Sequence, residues 1–139
     1  MRTRVVALAA LAAFAGCTDE LEEFREDLRP LEQRAEQQRS MISGLMRSLR
    51  LGSRADARGV RAQAAKLSVT YDEIAAIEPP DDDAEHFADY VQANREVVRD
   101  LRVFADELES GALRGLRRAS RRALAGLGRA QTASLQFLE

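Results

Sequence analysis

LEEFREDLRPLEQRAEQQRSMISGLMRSL, residues 21–49, is the stretch that decides the fold of this chain. Mostly apolar side chains recur in it at alternating steps of three and four residues, a spacing that places them along one face of an α-helix. The stripe comprises Leu21, Phe24, Leu28, Leu31, Ala35, Gln38, Ile42, Leu45 and Leu49. We predict a helix over about residues 19–51 that buries this stripe.

Pro30 lies inside this pattern but off the stripe. A proline removes one backbone hydrogen bond and disfavours helical geometry at the residue before it, which here is Arg29. The sequence therefore predicts a kink near Pro30. The alternative is a helix that begins at Pro30 after a looser lead-in.

Three further helical patterns follow, and each boundary carries a residue type that stops or starts a helix. Gly52 ends the first pattern, Glu78-Pro79-Pro80 ends the second, and Ser110-Gly111 ends the third. Ser53 and Asp56 have the spacing of a capping box for the second helix. We predict helices over about residues 54–78, 82–109 and 112–137. Four helices joined by short turns indicate an all-α, up-down-up-down four-helix bundle.

The amino-terminal residues have the layout of an export signal. Met1-Arg2-Thr3-Arg4 is a short basic head, and residues 5–14 contain only Val, Ala, Leu and Phe. This apolar run is shorter than the roughly 20 residues that a membrane-spanning helix needs. Its length and basic flank fit the apolar region of a secretory signal. Small residues then lead into Cys17, the only cysteine of the 139 residues.

Phe14-Ala15-Gly16-Cys17 resembles the lipobox of bacterial lipoprotein precursors, with Phe14 where leucine is usual. The resemblance covers residues 1–17 only. It implies that residues 1–16 are a signal peptide that is removed, that the Cys17 thiol takes a diacylglyceryl group, and that the new amine is acylated, as with palmitate. The alternatives are a soluble secreted protein and an amino-terminal membrane anchor with an incidental cysteine.

The same resemblance implies a location and a domain organisation. Residues 17–139 would form a single domain in the cell envelope, attached to the membrane through lipid on Cys17 and facing the periplasm. Thr18 follows the cysteine where an inner-membrane retention signal has Asp, which implies the outer membrane in an organism that has two. With the Cys17 thiol acylated, neither a disulfide nor a thiolate metal site remains.

Charge is unevenly distributed along the predicted helices. Without residues 1–16 the chain has 19 basic and 23 acidic residues, a net charge of −4. In an up-and-down bundle most acidic segments meet at the end beside Cys17 and most basic segments at the other end, while Asp106, Glu107 and Glu109 break the pattern. The candidate partner-binding residues at the basic end are Arg54, Arg58, Arg61, Arg114, Arg117, Arg118, Arg121 and Arg122.

The sequence gives no support to catalysis, and we predict no catalytic residue, no metal site and no cofactor. His86 is the only histidine, so no His/Cys zinc site can form once Cys17 is acylated. No serine is accompanied by a base, and no Gly-rich phosphate loop follows a strand. Asn94 lies on the stripe of the third helix, where it could line a cavity or fix the packing register.

These observations favour a non-enzymatic, lipid-anchored helical bundle that presents an Arg-rich end to an anionic protein or a cell-wall polymer. Nucleic acid is disfavoured because stacking aromatic side chains are scarce. Two alternatives remain open. One is a small-ligand carrier with a cavity at the level of Tyr90, Asn94 and Phe104. The other is a coiled-coil protein that forms homo-oligomers through the heptads of the first helix.

Overall fold

The computed structural model describes residues 12–138, with side chains from Asp19 onward. This part of the chain contains four α-helices, one short 3-10 helix and no β-strand. The α-helices are α1 (Ala12–Met46), α2 (Arg54–Ala75), α3 (Ala84–Ser110) and α4 (Leu113–Leu138), and the 3-10 helix Asp81–Asp83 precedes α3. The predicted all-α class is confirmed.

Each helix packs against its neighbours in sequence, and α1 closes the bundle by packing against α4. The diagonal pairs, α1 with α3 and α2 with α4, do not approach each other closely. Short connections make consecutive helices antiparallel, so the predicted up-down-up-down four-helix bundle is confirmed. Helix α3 makes the most extensive contacts, whereas the seam between α1 and α4 is the least extensive.

Helix α1 runs through Pro30 without interruption, so the alternative in which a helix begins at Pro30 is wrong. Pro30 lies on the exposed side of α1. The carbonyl group that loses its helical partner belongs to Glu26, which is also exposed, so water can satisfy it. The described part of the helix already includes Ala12, before the predicted start at residue 19, and the helix ends at Met46, before the predicted residue 51.

The connection between α1 and α2, residues 47–53, is held in place by Gly52 and leads into the cap of α2. Gly52 has a φ of 76°, a left-handed conformation that favours glycine. Its N–H donates to the carbonyl of Leu108, at 2.9 Å, which fixes the connection to the end of α3. The predicted cap of α2 is present, because the Ser53 hydroxyl accepts from the Asp56 N–H at 3.1 Å.

The core is built from the predicted stripes together with one aromatic cluster. In α1, Phe24, Leu28, Ala35 and Ile42 are fully buried, whereas Leu21, Leu31, Leu45 and Leu49 pack at the edge of the core. Four rings from α1, α3 and α4 meet at the end of the bundle where α1 begins. They are Phe24, Phe87, Tyr90 and Phe137, with contacting ring centroids 5.3 to 6.0 Å apart. Such aromatic pairs add stability beyond the area that they bury.

Adjacent residues of α1 test this assignment of the core. Ile42 is 1% exposed and Met41 is 57% exposed. We expect Ile42→Ala to lower the free energy of unfolding by about 2–5 kcal/mol, because it leaves a cavity. Met41→Ala should change it by less than about 0.5 kcal/mol, as surface substitutions do. Urea unfolding followed by far-UV circular dichroism measures both, and equal losses would show that this stripe is not core.

Candidate binding surface at the arginine-rich end

The antiparallel arrangement brings the end of α1, the start of α2, the end of α3 and the start of α4 to one end of the bundle. The arginines that α2 contributes to this end are largely ion-paired. Arg61 Nη2 lies 2.7 Å from both Asp106 Oδ1 and Glu109 Oε2 of α3. These two hydrogen-bonded carboxylates raise the pKa of Arg61. Arg54 Nε lies 3.8 Å from Glu109 Oε1.

The arginines of α4 differ from those of α2. All six are exposed, and within the part of the chain that the structure describes none makes an ion pair. Five of the six lie in the first three turns of the helix. We call these residues the α4 arginine face: Arg114, Arg117, Arg118, Arg121 and Arg122. Two carboxylates at the end of α3, those of Asp106 and Glu109, pair with α2. The carboxylate of Glu107 lies against Gly115 of α4 but makes no ion pair with an arginine of this face.

Arg58 is exposed but does not join the α4 arginine face. It lies on α2, and α2 and α4 occupy diagonal corners of the bundle. The predicted set of eight arginines therefore does not form one continuous surface. It divides into an α2 group, in which Arg54 and Arg61 are ion-paired, and the α4 arginine face.

A groove of about 580 Å³ lies beside the α4 arginine face, between the end of α1, the end of α3 and the first turns of α4. Its apolar lining comprises Met46, Leu49, Phe104, Leu108 and Leu116. Arg117, Ser120 and Arg121 complete the lining. The periodicity of each segment predicts which side of that helix is apolar. It does not predict this groove, because the groove forms where the ends of three helices meet in the bundle.

The opposite end of the bundle is acidic, as expected. A groove of about 850 Å³ runs between α1 and the connection from α2 to α3. Its carboxylates are those of Glu20, Glu23, Asp27, Glu73, Glu78 and Asp81. Arg34 also lines it and pairs with Glu73 at 2.7 Å. Among the described residues, no group of three or more His, Cys, Asp or Glu side chains could hold a metal ion.

An ion pair that the stripe analysis did not predict lies in the core. Glu32 and Arg39 of α1 are 3% and 4% exposed, and Glu32 Oε2 lies 2.9 Å from Arg39 Nη2. Arg39 also donates to the hydroxyl of Tyr71 in α2, at 3.4 Å, and to the carboxylate of Glu36. Burial lowers the pKa of Arg39, but the nearby Tyr71 and Glu32 oxygens more than offset this effect and the pKa is raised.

Other buried polar atoms lack protein partners. These atoms are Glu32 Oε1, Gln38 Oε1, Tyr90 Oη, Asn94 Oδ1 and Asn94 Nδ2. The carrier alternative placed a cavity at the level of Tyr90, Asn94 and Phe104. Neither Tyr90 nor Asn94 lines any of the three cavities described for this structure, whereas Phe104 lines the groove beside the α4 arginine face.

Two other residues singled out in the sequence have less informative positions. His86 is exposed near the start of α3, where it lines a small cavity with Asp83, Gln136 and Phe137. Cys17 lies within α1. It precedes Asp19, the first residue whose side chain the structure describes. Most of the predicted signal peptide, residues 1–11, also lies outside the described residues.

Comparison of this chain with protein-family models, curated proteins and solved structures finds no match. Within residues 12–138, no helix combines the length and the apolar character needed to cross a membrane.

Tyr71 gives the buried ion pair a measurable pH dependence. Burial raises the pKa of Tyr71, and Arg39 offsets this only in part. The neutral hydroxyl thus contributes stability that is complete below the unfolded-state pKa of about 10 and is lost as the pH rises through the folded-state pKa. We expect the free energy of unfolding to fall above about pH 10, and to fall less steeply in Tyr71→Phe. Identical slopes in urea titrations of both proteins would contradict this assignment.

Proposed function

We propose that this chain is a non-enzymatic, lipid-anchored protein of the bacterial cell envelope whose α4 arginine face binds an anionic partner. The observation that carries the proposal is the difference between two sets of arginines at one end of the bundle. Arg54 and Arg61 are ion-paired to α3, whereas the five arginines of the α4 arginine face have no carboxylate partner among the described residues.

The α4 arginine face is unfavourable for the stability of its own helix. Basic residues at a helix start oppose the macrodipole. Like charges four residues apart also destabilise a helix, and three such pairs occur here: Arg114 with Arg118, Arg117 with Arg121, and Arg118 with Arg122. A surface that reduces stability in this way is typical of a binding site rather than of a structural element.

The proposed anchor would hold this face away from the membrane. Cys17 lies in α1 itself, so no flexible linker separates the lipidated residue from the bundle. Residues 17–46 of α1 span about 44 Å at 1.5 Å per residue. Carboxylates cluster at the Cys17 end and would be repelled by anionic headgroups, while α4 begins at the distal end.

The chemistry of the face favours carboxylate or phosphate groups as its ligands. A guanidinium group presents a planar set of donors that match both groups in a bidentate manner. An acidic protein or a cell-wall polymer supplies such groups in an extended array. Nucleic acid is disfavoured, because binding of single strands depends on stacking aromatics and the only aromatic residue of α4, Phe137, is buried.

Self-association through the α1 heptads receives no support from the fold. The central residues of that stripe, including Leu28, Ala35 and Ile42, are buried inside the bundle of the same chain. They would become available to a second chain only if α1 left the bundle.

Charge reversal tests the α4 arginine face against a matched control. Poly-L-glutamate serves as the probe and poly-L-lysine as its opposite-charge counterpart. We expect Arg118→Glu/Arg121→Glu to weaken binding of poly-L-glutamate at least about tenfold at low salt, because each charge-assisted contact contributes about 1.5–3 kcal/mol. Arg95→Glu/Arg102→Glu makes the same change in net charge at exposed positions of α3 and should have little effect. Isothermal titration calorimetry on the full chain measures both.

The same variant has an expected effect on stability. Removing two uncompensated arginines should raise the melting temperature in about 0.01 M salt and raise it less in about 1 M salt, where the Debye length falls from ~30 Å to ~3 Å. A lower melting temperature would mean that these arginines have acidic partners. In the binding test, equal losses of poly-L-glutamate binding in the two double variants would show that net charge, and not the α4 arginine face, determines binding.

Lipid anchoring has its own test in a bacterial host. We expect wild-type protein to fractionate with membranes and to incorporate labelled palmitate, as the lipobox resemblance implies. Cys17→Ser should abolish the label and leave uncleaved or mislocalised precursor. Thr18→Ser is the neighbouring control and should behave like wild type. If Cys17→Ser fractionates and migrates like wild type, the anchor is excluded.

A further inference from the structure

We propose that the groove beside the α4 arginine face binds a single-chain anionic amphiphile, with its apolar chain in the groove and its head group on Arg117 and Arg121. This inference rests on the proposed function and names a ligand class for the same end of the bundle. It depends on the juxtaposition of two features. One is a groove with five apolar residues in its lining, and the other is a pair of guanidinium groups on its rim that make no ion pair among the described residues.

The groove exists because of where the helices end. Helix α1 ends at Met46, and its seam with α4 is the least extensive in the bundle. The hydrogen bond from Gly52 to Leu108 holds the following connection at the end of α3. On the α4 side the groove is lined by the small side chain of Ser120, which leaves the space open.

The lining has the character of a site for an apolar chain. Phe104 and Leu108 form its floor and are almost completely buried, at 3% and 1% exposed, so the apolar surface open to a ligand belongs to Met46, Leu49 and Leu116, which are partly exposed. One turn before Leu116 on α4, Leu113 is 51% exposed, so apolar surface continues toward the start of the helix. Ligand sites commonly combine such a lining with a few polar groups that fix orientation.

The size of the groove favours a small amphiphile over a protein segment. Its volume of about 580 Å³ lies within the range of about 300–1,000 Å³ that is typical of small-molecule sites. Along α4 its lining extends only from Leu116 to Arg121, which is about 9 Å of helix at 1.5 Å per residue. A docked helix is about 10–12 Å wide and needs a longer groove to bury its apolar face.

The rim fixes the charge of the head group. Arg117 and Arg121 are exposed, and neither pairs with a carboxylate among the described residues. A carboxylate or a phosphate would satisfy both guanidinium groups, since the two head groups present similar oxygen geometry. A fatty acid and a single-chain phospholipid share this chemistry.

The test uses the full chain and four probes, each below its critical micelle concentration where it has one. Laurate and dodecyl phosphate carry the same chain with the two head groups under consideration. Dodecyltrimethylammonium carries the chain with the opposite charge, and inorganic phosphate carries the charge without a chain. By isothermal titration calorimetry we expect saturable binding of laurate, dodecyl phosphate or both, at least about tenfold tighter than either of the other probes. The tighter of the two anions identifies the head group.

Three variants assign the binding to this groove. Ser120→Phe fills the groove without removing a core side chain and should weaken binding of the anionic amphiphile at least about tenfold. Arg117→Gln/Arg121→Gln should weaken it by a similar factor through loss of charge-assisted hydrogen bonds. Arg95→Gln/Arg102→Gln removes two exposed arginines of α3 that belong neither to the groove nor to the α4 arginine face, and it should leave binding within about threefold. Thermal melts confirm that each variant is folded.

The outcomes separate this inference from the proposed function. If poly-L-glutamate binds through Arg118 and Arg121 but no anionic amphiphile binds, the groove proposal is overturned and the proposed function stands. Equal binding of dodecyltrimethylammonium would overturn the role of the rim, and unchanged binding in Ser120→Phe would overturn the role of the groove. If neither the polymer nor an amphiphile binds, both proposals fail.

Discussion

The hydrogen bond from Arg39 of α1, buried and ion-paired to Glu32 of the same helix, to Tyr71 of α2 is the constraint on which the position of α1 depends. Arg39 reaches Tyr71 and so ties α1 to α2 from inside the core, on a helix whose seam with α4 is the least extensive. Removing one partner of such a pair leaves an uncompensated buried charge, which costs about 3–5 kcal/mol. Apolar packing alone would allow α1 to slide or rotate, whereas the buried Arg39 has to stay within reach of the Tyr71 hydroxyl of α2.

The two ends of the bundle use charge differently. At the distal end the carboxylates of Asp106 and Glu109 in α3 pair with Arg61 of α2, whereas Glu107 lies against Gly115 of α4. Helix α4 lies on the other side of α3, where its arginines have no such partner in the described structure. The groove opens on this same side, at the α1 seam, so the uncompensated charge and the unfilled apolar space adjoin each other.

Much of the fold could be predicted because the signals are local. Periodic apolar residues and stops such as Gly52, Pro79 and Gly111 define four helices and their order. The Glu32–Arg39 pair could not be predicted, since charged residues next to a stripe normally lie at the surface. The candidate site could be predicted from the sequence only in part. The arginines are visible in the sequence, but which of them are neutralised depends on which helix faces meet.

The uninterrupted course of α1 from Cys17 past Pro30 would make the proposed lipid anchor a rigid one. A protein on a flexible tether samples a range of heights above a bilayer, and its local concentration at any one height is diluted accordingly. A rigid attachment at Cys17 would instead keep the start of α4 within a narrow layer about 40 Å from the anchor. Encounter would then be selective for partners fixed at that depth in the envelope, whatever their abundance elsewhere.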